Sequence, residues 1–163
     1  MPKTSSEPAG AARTTLHGPT MGTRWSATLD LPAGAPVQAL EQALAACVQQ
    51  VDAQMSPWKP GSDLVRLNHA PVGAWVDVPA ELLEVLACAL DIGRLSQGAF
   101  DPAVGALVDA WGFGAAHDEP DAAAIRAAVS ASRPPTHEAL ELDRTAGRAR
   151  KHAPLQLDLC GIA

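Results

Sequence analysis

The stretch EALELDRTAGRARKHAPLQLDL, residues 138–159, decides the fold class. Leu140 and Leu142 alternate with polar neighbours, RTAG at 144–147 supplies a turn closed by Gly147, and RARKH returns as a second strand. LQLDL at 155–159 reads as one more strand, apolar on both sides and therefore central in a sheet. Strands gathered in the last third of a chain whose middle reads as helices predict an α+β arrangement with mostly antiparallel strands, not a doubly wound sheet.

Working outward, Val37 to Met55 places apolar residues at 37, 40, 44, 48, 51 and 55, the stripe of an amphipathic helix. After the loop SPWKPGS, DLVRLN (63–68) is a short helical piece and WVDV (75–78) a brief strand. Pro79 suits a first helical turn, and Leu82, Leu83, Leu86, Leu90 and Leu95 build a long helix ending near Gly98. Residues 102–111, opened by Pro102, and 120–130, PDAAAIRAAVS, predict two more helices. Near the start, GTRWSATLDL (22–31) sets Trp25, Ala27, Leu29 and Leu31 against Arg24, Ser26, Thr28 and Asp30, the alternation of a half-buried strand. Residues 1–17 read as a disordered arm, and 18–163 as one domain.

With 47% hydrophobic and 18% charged residues the chain is globular and soluble, not disordered. Twelve basic against 18 acidic residues, net −6, argue against nucleic-acid or anionic-membrane partners. No run approaches the ~20 apolar residues of a membrane span. MPKTSSEPAGAART lacks the apolar centre of a signal peptide, so the sequence as written reads as cytoplasmic; a signal ahead of it would make the protein periplasmic or an inner-membrane lipoprotein. Cys47, Cys88 and Cys160 are an odd, scattered set with no CxxC pair, which argues against a disulfide framework or zinc site. Cys47 and Cys88 are expected on buried helix faces, and Cys160 as a reactive thiol. The scattered histidines read as structural or solvated.

Four segments carry more Gly, Trp and turn residues than packing requires: GPTMGT (18–23), MSPWKPGSDLVRLN (55–68), GAFDPAVGALVDAWGFG (98–114) and LDLCGIA (157–163). Each has an ordinary reading. Asp101 suits a helix N-cap, Trp58 and Trp111 suit a core, and AWGFG suits a glycine-ended helix. None matches a Walker loop, a GxGxxG turn or a serine elbow.

Together and in this order the four segments resemble the ApbE family of FAD-dependent protein flavinyltransferases. The matching residues are Met21-Gly22-Thr23; Met55-Ser56 with Trp58, Ser62, Leu67 and Asn68; Gly98 through Gly114; and Asp158 to Ala163. The resemblance implies a T-fold-related α+β domain that moves FMN from FAD to a threonine hydroxyl of a target flavoprotein, releasing AMP, with Mg²⁺ as cofactor. It further implies that Met21 lies against the flavin nucleotide and that Trp58, where the family usually has tyrosine, stacks on an FAD ring. Ala99, Phe100 and Asp101 would surround the adenosine part, with the Asp101 carboxylate accepting from the nucleotide. All four of Met21, Trp58, Phe100 and Asp101 are then expected on one pocket. Cys160 stands near FAD where the family has glycine, and Ala163 would offer its carbonyl to Mg²⁺, a cation that prefers oxygen. The lysine and tyrosine after GGIA and the remaining metal ligands would lie past Ala163, so the C-terminal part of the domain, and the catalytic residues with it, are expected to be missing from this sequence. Two other readings stand beside this one: an FAD-binding module that transfers nothing, and an inactive fragment of the transferase.

Overall fold

The computed structural model describes residues 11–21, 23–114 and 119–161. Within the domain expected for 18–163 the chain folds as two compact units that divide between Asp52 and Ala53.

The first unit is a hairpin and all but the last three residues of a helix. Strands β1 (Ala12–Thr20) and β2 (Thr23–Leu31) pair antiparallel from Ala12↔Leu31 to Thr20↔Thr23. On one face Thr14, Leu16 and Gly18 meet Leu29, Ala27 and Trp25; a Cβ at Gly18 would stand 2.7 Å from the Trp25 indole nitrogen, so glycine lets the ring lie across the strand. On the other face Arg13 grips Asp30 with two bonds of 2.9 and 3.0 Å, and Thr15 meets Thr28 at 3.2 Å. These cross-strand pairs correct the arm expected over 1–17: residues 12–17 are strand, while 1–10 lie outside the described residues. The helix α1 (Val37–Met55) has the bounds its apolar spacing predicts.

The second unit holds α2 (Asp63–His69), β3 (Trp75–Asp77), α3 (Ala80–Leu95), α4 (Gly105–Ala110), α5 (Ala122–Ser130), α6 (Thr136–Ala139), β4 (Leu140–Asp143) and β5 (Arg148–Lys151). Its sheet is antiparallel in the order β3-β5-β4. Gly147, with φ 66°, closes the β4–β5 turn, and the Asp143 carboxylate accepts from Ala146 N–H at 2.9 Å. The outward side of β5 carries Arg148 and Arg150, whose guanidiniums lie 4.5 and 4.4 Å from the Trp75 ring centre. Its inward side carries Ala149 and Lys151, both buried.

The core joins Leu64 and Leu67 of α2 to Leu82, Leu83, Leu86 and Leu90 of α3, and to Leu140, Leu155, Leu157 and Leu159. Leu95 is not part of it: it is 84% exposed, because a step of five from Leu90 leaves the 3.6-residue stripe, and Gly93 is buried instead. The helix expected over 102–111 forms only as Gly105–Ala110, and the strand expected from Glu138 starts at Leu140, after a single helical turn that follows Pro134-Pro135.

Residues 155–159 are extended but belong to no strand of the sheet. The alternation expected to be apolar on both sides is one-sided: Leu155, Leu157 and Leu159 are buried, whereas Gln156 is exposed and Asp158 half-buried. Their backbone bonds go elsewhere. The Asn68 side-chain amide donates to Leu157 C=O at 2.9 Å and accepts from Leu157 N–H at 2.8 Å. Gly105 N–H donates to Gln156 C=O at 2.9 Å, and Asp158 N–H to Pro102 C=O at 2.8 Å. A Cβ at Gly105 would come within 2.8 Å of that same Gln156 carbonyl, so only glycine permits the approach. Among the described residues no helix is long and apolar enough to cross a membrane.

Replacing Asn68 by alanine strands both backbone groups of Leu157, and N68A is expected to lose about 2–4 kcal/mol of stability. Urea unfolding at neutral pH measures it; a loss below about 0.5 kcal/mol would show that the clamp is dispensable.

Candidate functional site

The loop 56–61 is folded by two buried serines. Ser62 Oγ donates to Ser56 C=O at 2.7 Å and caps α2 by accepting from Val65 N–H at 3.2 Å, while Ser56 Oγ accepts from Trp58 N–H at 3.3 Å. This sets the Trp58 side chain on the wall of a cavity of about 780 Å³. Phe113 and the segment Pro154–Asp158 line the same cavity, and Val65, Asn68 and Lys151 complete the wall. A concave site of this volume, mostly apolar with a few placed polar groups, is the form a small-molecule site takes. The Trp58 indole N–H is buried with no hydrogen-bond partner among the described residues. Phe113 is 71% exposed, an aromatic edge left open to solvent.

The residues singled out from the sequence do not gather on this one cavity. Trp58 lines it. Phe100 and Asp101 line a separate, small cleft with Leu90, Thr136 and His137. The Asp101 carboxylate organises the small cleft. It caps Ala103 N–H at 3.0 Å, takes the Thr136 hydroxyl, and pairs with Arg133 at 2.9 Å. Burial alone would raise its pKa, but the bonds from Thr136 and Ala103 and the Arg133 charge outweigh it and hold the carboxyl below its ordinary value. Asp101 thus ties the 97–104 loop to α6. Ala99 is exposed, its N–H bonded to Ser96 C=O at 3.2 Å. Met21 occupies the β1–β2 turn of the first unit with φ 41°, left-handed backbone uncommon for a residue with a side chain. Ala163 lies outside the described residues.

Cys160 follows the segment and is exposed, its N–H donating to the Asp158 carboxylate at 2.8 Å. Partial burial of the sulfur and the neighbouring Asp158 push its thiol from 9.0 up to about 11. Cys47 and Cys88, expected inside, are exposed: both fall beside the apolar stripes of α1 and α3 rather than on them.

Lys151 escaped the sequence reading because RARK looks like a solvated basic run. The signal was its period: with Ala149 inward, Lys151 shares that face. Among the described residues no group of three or more His, Cys, Asp or Glu is placed to hold a metal ion, so they do not by themselves make the magnesium site the resemblance implies.

An α+β chain with a concave, mostly apolar cavity has the architecture that small-molecule sites use. The model of the ApbE family matches residues 21–163, and the chain belongs to that family. It is 38% identical over 128 residues to the FAD:protein FMN transferase of Klebsiella pneumoniae, covering 77% of this chain and 36% of that protein. To the FAD:protein FMN transferase of Haemophilus influenzae it is 33% identical over 102 residues, 61% of this chain and 30% of that one. The crystal structure of the Pseudomonas stutzeri flavinyl transferase ApbE, apo form, superposes with a TM-score of 0.79 at 29% identity, covering 94% of this chain and 51% of that one. The flavin transferase ApbE from Vibrio cholerae gives 0.79 at 29% identity, covering 91% and 48%. The chain thus spans between about a third and a half of the length of these relatives.

D101N is expected to destabilise the ligand-free protein by about 1–2 kcal/mol at neutral pH. Because the folded carboxyl is lowered, its contribution is full above the unfolded value near 4 and fades as pH falls through the folded value. Wild-type and D101N unfolding curves should therefore converge in acid; equal stability at pH 7 would leave Asp101 free for a ligand. In a thiol-labelling time course Cys47 and Cys88 should react first. Cys160 should lag, its thiolate fraction cut on the order of a hundredfold by the rise from 9.0 to about 11. Labelling of Cys160 ahead of the other two would contradict this.

Proposed function

We propose that this chain forms the FAD-holding portion of an FAD:protein FMN transferase that acts on a threonine hydroxyl of a target flavoprotein. What carries the reading is the aromatic-walled cavity behind Trp58 in a chain of the ApbE family, whose curated relatives bear that activity in their names. The hydroxyl oxygen attacks the phosphorus on the FMN side of the FAD pyrophosphate. A new phosphoester bond forms, the bridging P–O bond breaks, AMP leaves with the electron pair, and the hydroxyl proton is lost to base or solvent. Such a reaction rests on positioning and charge stabilisation more than on a protein nucleophile.

Trp58 is assigned to ring stacking, which any flat aromatic serves. Met21, Ala99, Phe100 and Cys160 remain nucleotide contacts in this proposal, and Asp101 is reassigned to holding the loop that carries Ala99 and Phe100. Mg²⁺ would supply the counter-charge for the pyrophosphate, with Ala163 its proposed carbonyl ligand; the described residues supply no group of three or more carboxylates, histidines or cysteines to hold it.

Titrating FAD against the chain should quench flavin emission saturably, and W58A should weaken binding about tenfold, while W58F retains most of it. With Mg²⁺ and a threonine-bearing acceptor, AMP and flavinylated acceptor should appear in equal amounts. FAD binding without AMP would mark a binding module instead, and the absence of saturable binding would overturn the reading.

A further inference from the structure

Lys151 ends β5 on the buried face of the sheet, 4% exposed, and lines the Trp58 cavity. Its ammonium donates to one neutral acceptor, the main-chain carbonyl of Asn68 near the end of α2. A lysine ammonium has three donors and a full charge, so this leaves most of its capacity unused. No carboxylate stands within ion-pair distance of it among the described residues, and burial pushes its pKa below the ordinary value with nothing opposing. An ammonium buried this way destabilises a fold unless an anion comes to it.

The other titratable groups on the same wall are already engaged or face water. Asp109 accepts from the Gln156 side chain and is exposed, Asp158 accepts from Cys160 N–H, and His69 is exposed. Lys151 is the lysine or arginine of the wall among the described residues, and it sits within one cavity with the aromatic surface of Trp58. An aromatic platform and one buried cation in one apolar cavity fit a ligand with a planar ring and a phosphoryl group.

We infer that Lys151 is a phosphate-contacting residue of the Trp58 cavity, its free N–H donors meeting phosphoryl oxygens of the bound molecule. The inference rests on the FAD reading for the identity of that molecule, where the anion is the pyrophosphate. It assigns Lys151 a share in holding the group whose bridging bond breaks. The same residue predicts a preference for phosphorylated flavins over riboflavin, since riboflavin offers the ring but no anion.

The test compares wild type with K151M, which keeps length and apolar stem but removes the charge, and with K151R, which keeps the charge. FAD, FMN and riboflavin are titrated by flavin fluorescence, and inorganic pyrophosphate by thermal shift. K151M should bind FAD and FMN at least about tenfold more weakly, a single charge-assisted contact, while riboflavin changes by less than about twofold. K151R should recover part of the loss. The ligand-free K151M protein should melt no lower than wild type, because an unpaired buried charge has been removed. Equal losses for riboflavin and FAD, or a lower melting temperature with unchanged FAD affinity, would make Lys151 a structural cap of α2 and overturn the inference. If wild type binds no flavin, the FAD reading falls, and pyrophosphate decides the lysine alone. Stabilisation of wild type but not of K151M upholds the phosphate contact, and no stabilisation of either overturns it.

Discussion

The second unit depends on one side chain. Asn68 reaches a segment 89 residues away and closes two hydrogen bonds on Leu157, one to its N–H and one to its carbonyl. An amide side chain carries one donor edge and one acceptor edge, the same pair a neighbouring strand would present, so Asn68 replaces the strand that residues 155–159 lack. Gly105 and Pro102 satisfy the flanking backbone groups from the other side. A buried extended segment cannot leave such groups unpaired without a cost of about 1–3 kcal/mol each. The clamp therefore fixes both the position and the facing of the segment.

The site follows from that constraint. With Leu157 pinned, Leu155 and Leu159 also turn into the core, and the segment becomes part of the wall of the cavity that Trp58 lines. The main-chain carbonyl of Asn68 accepts from Lys151, so the residue that holds the wall also holds the cavity's buried cation. Of the two serines that fold the Trp58 loop, Ser62 also caps α2, the helix that carries Asn68. Aromatic platform, wall and cation thus hang on a helix of seven residues. That explains structurally why Met55-Ser56, Trp58, Ser62 and Asn68 stand together in one sequence block.

Much of this was legible in the sequence. The 3.6-residue stripe set the bounds of α1, and the Leu140/Leu142 alternation with Gly147 set the β4–β5 hairpin. The order of the four glycine- and tryptophan-rich segments pointed to the family that the comparisons show. What stayed hidden depends on partners distant in sequence or on side chains standing in for backbone. β1 looked like an arm because Arg13, Thr15 and His17 are unremarkable until Asp30, Thr28 and Arg24 face them. LQLDL looked like a central strand because nothing local says that its neighbour is an asparagine. The neighbours of the Asp101 carboxylate were hidden too, because Thr136 and Arg133 lie more than thirty residues on. Lys151 was masked by the arginines beside it, although its register with Ala149 placed it inside.

Amide hydrogen exchange at Leu157 tests the central claim most directly, because that N–H has a side-chain oxygen as its acceptor. If Asn68 stands in for a strand, the Leu157 amide exchanges as slowly as those of the buried α3 residues Leu86 and Leu90, and Gly105 and Asp158 are protected with it. Exchange of Leu157 at the rate of an open loop, with α3 still protected, would contradict the account.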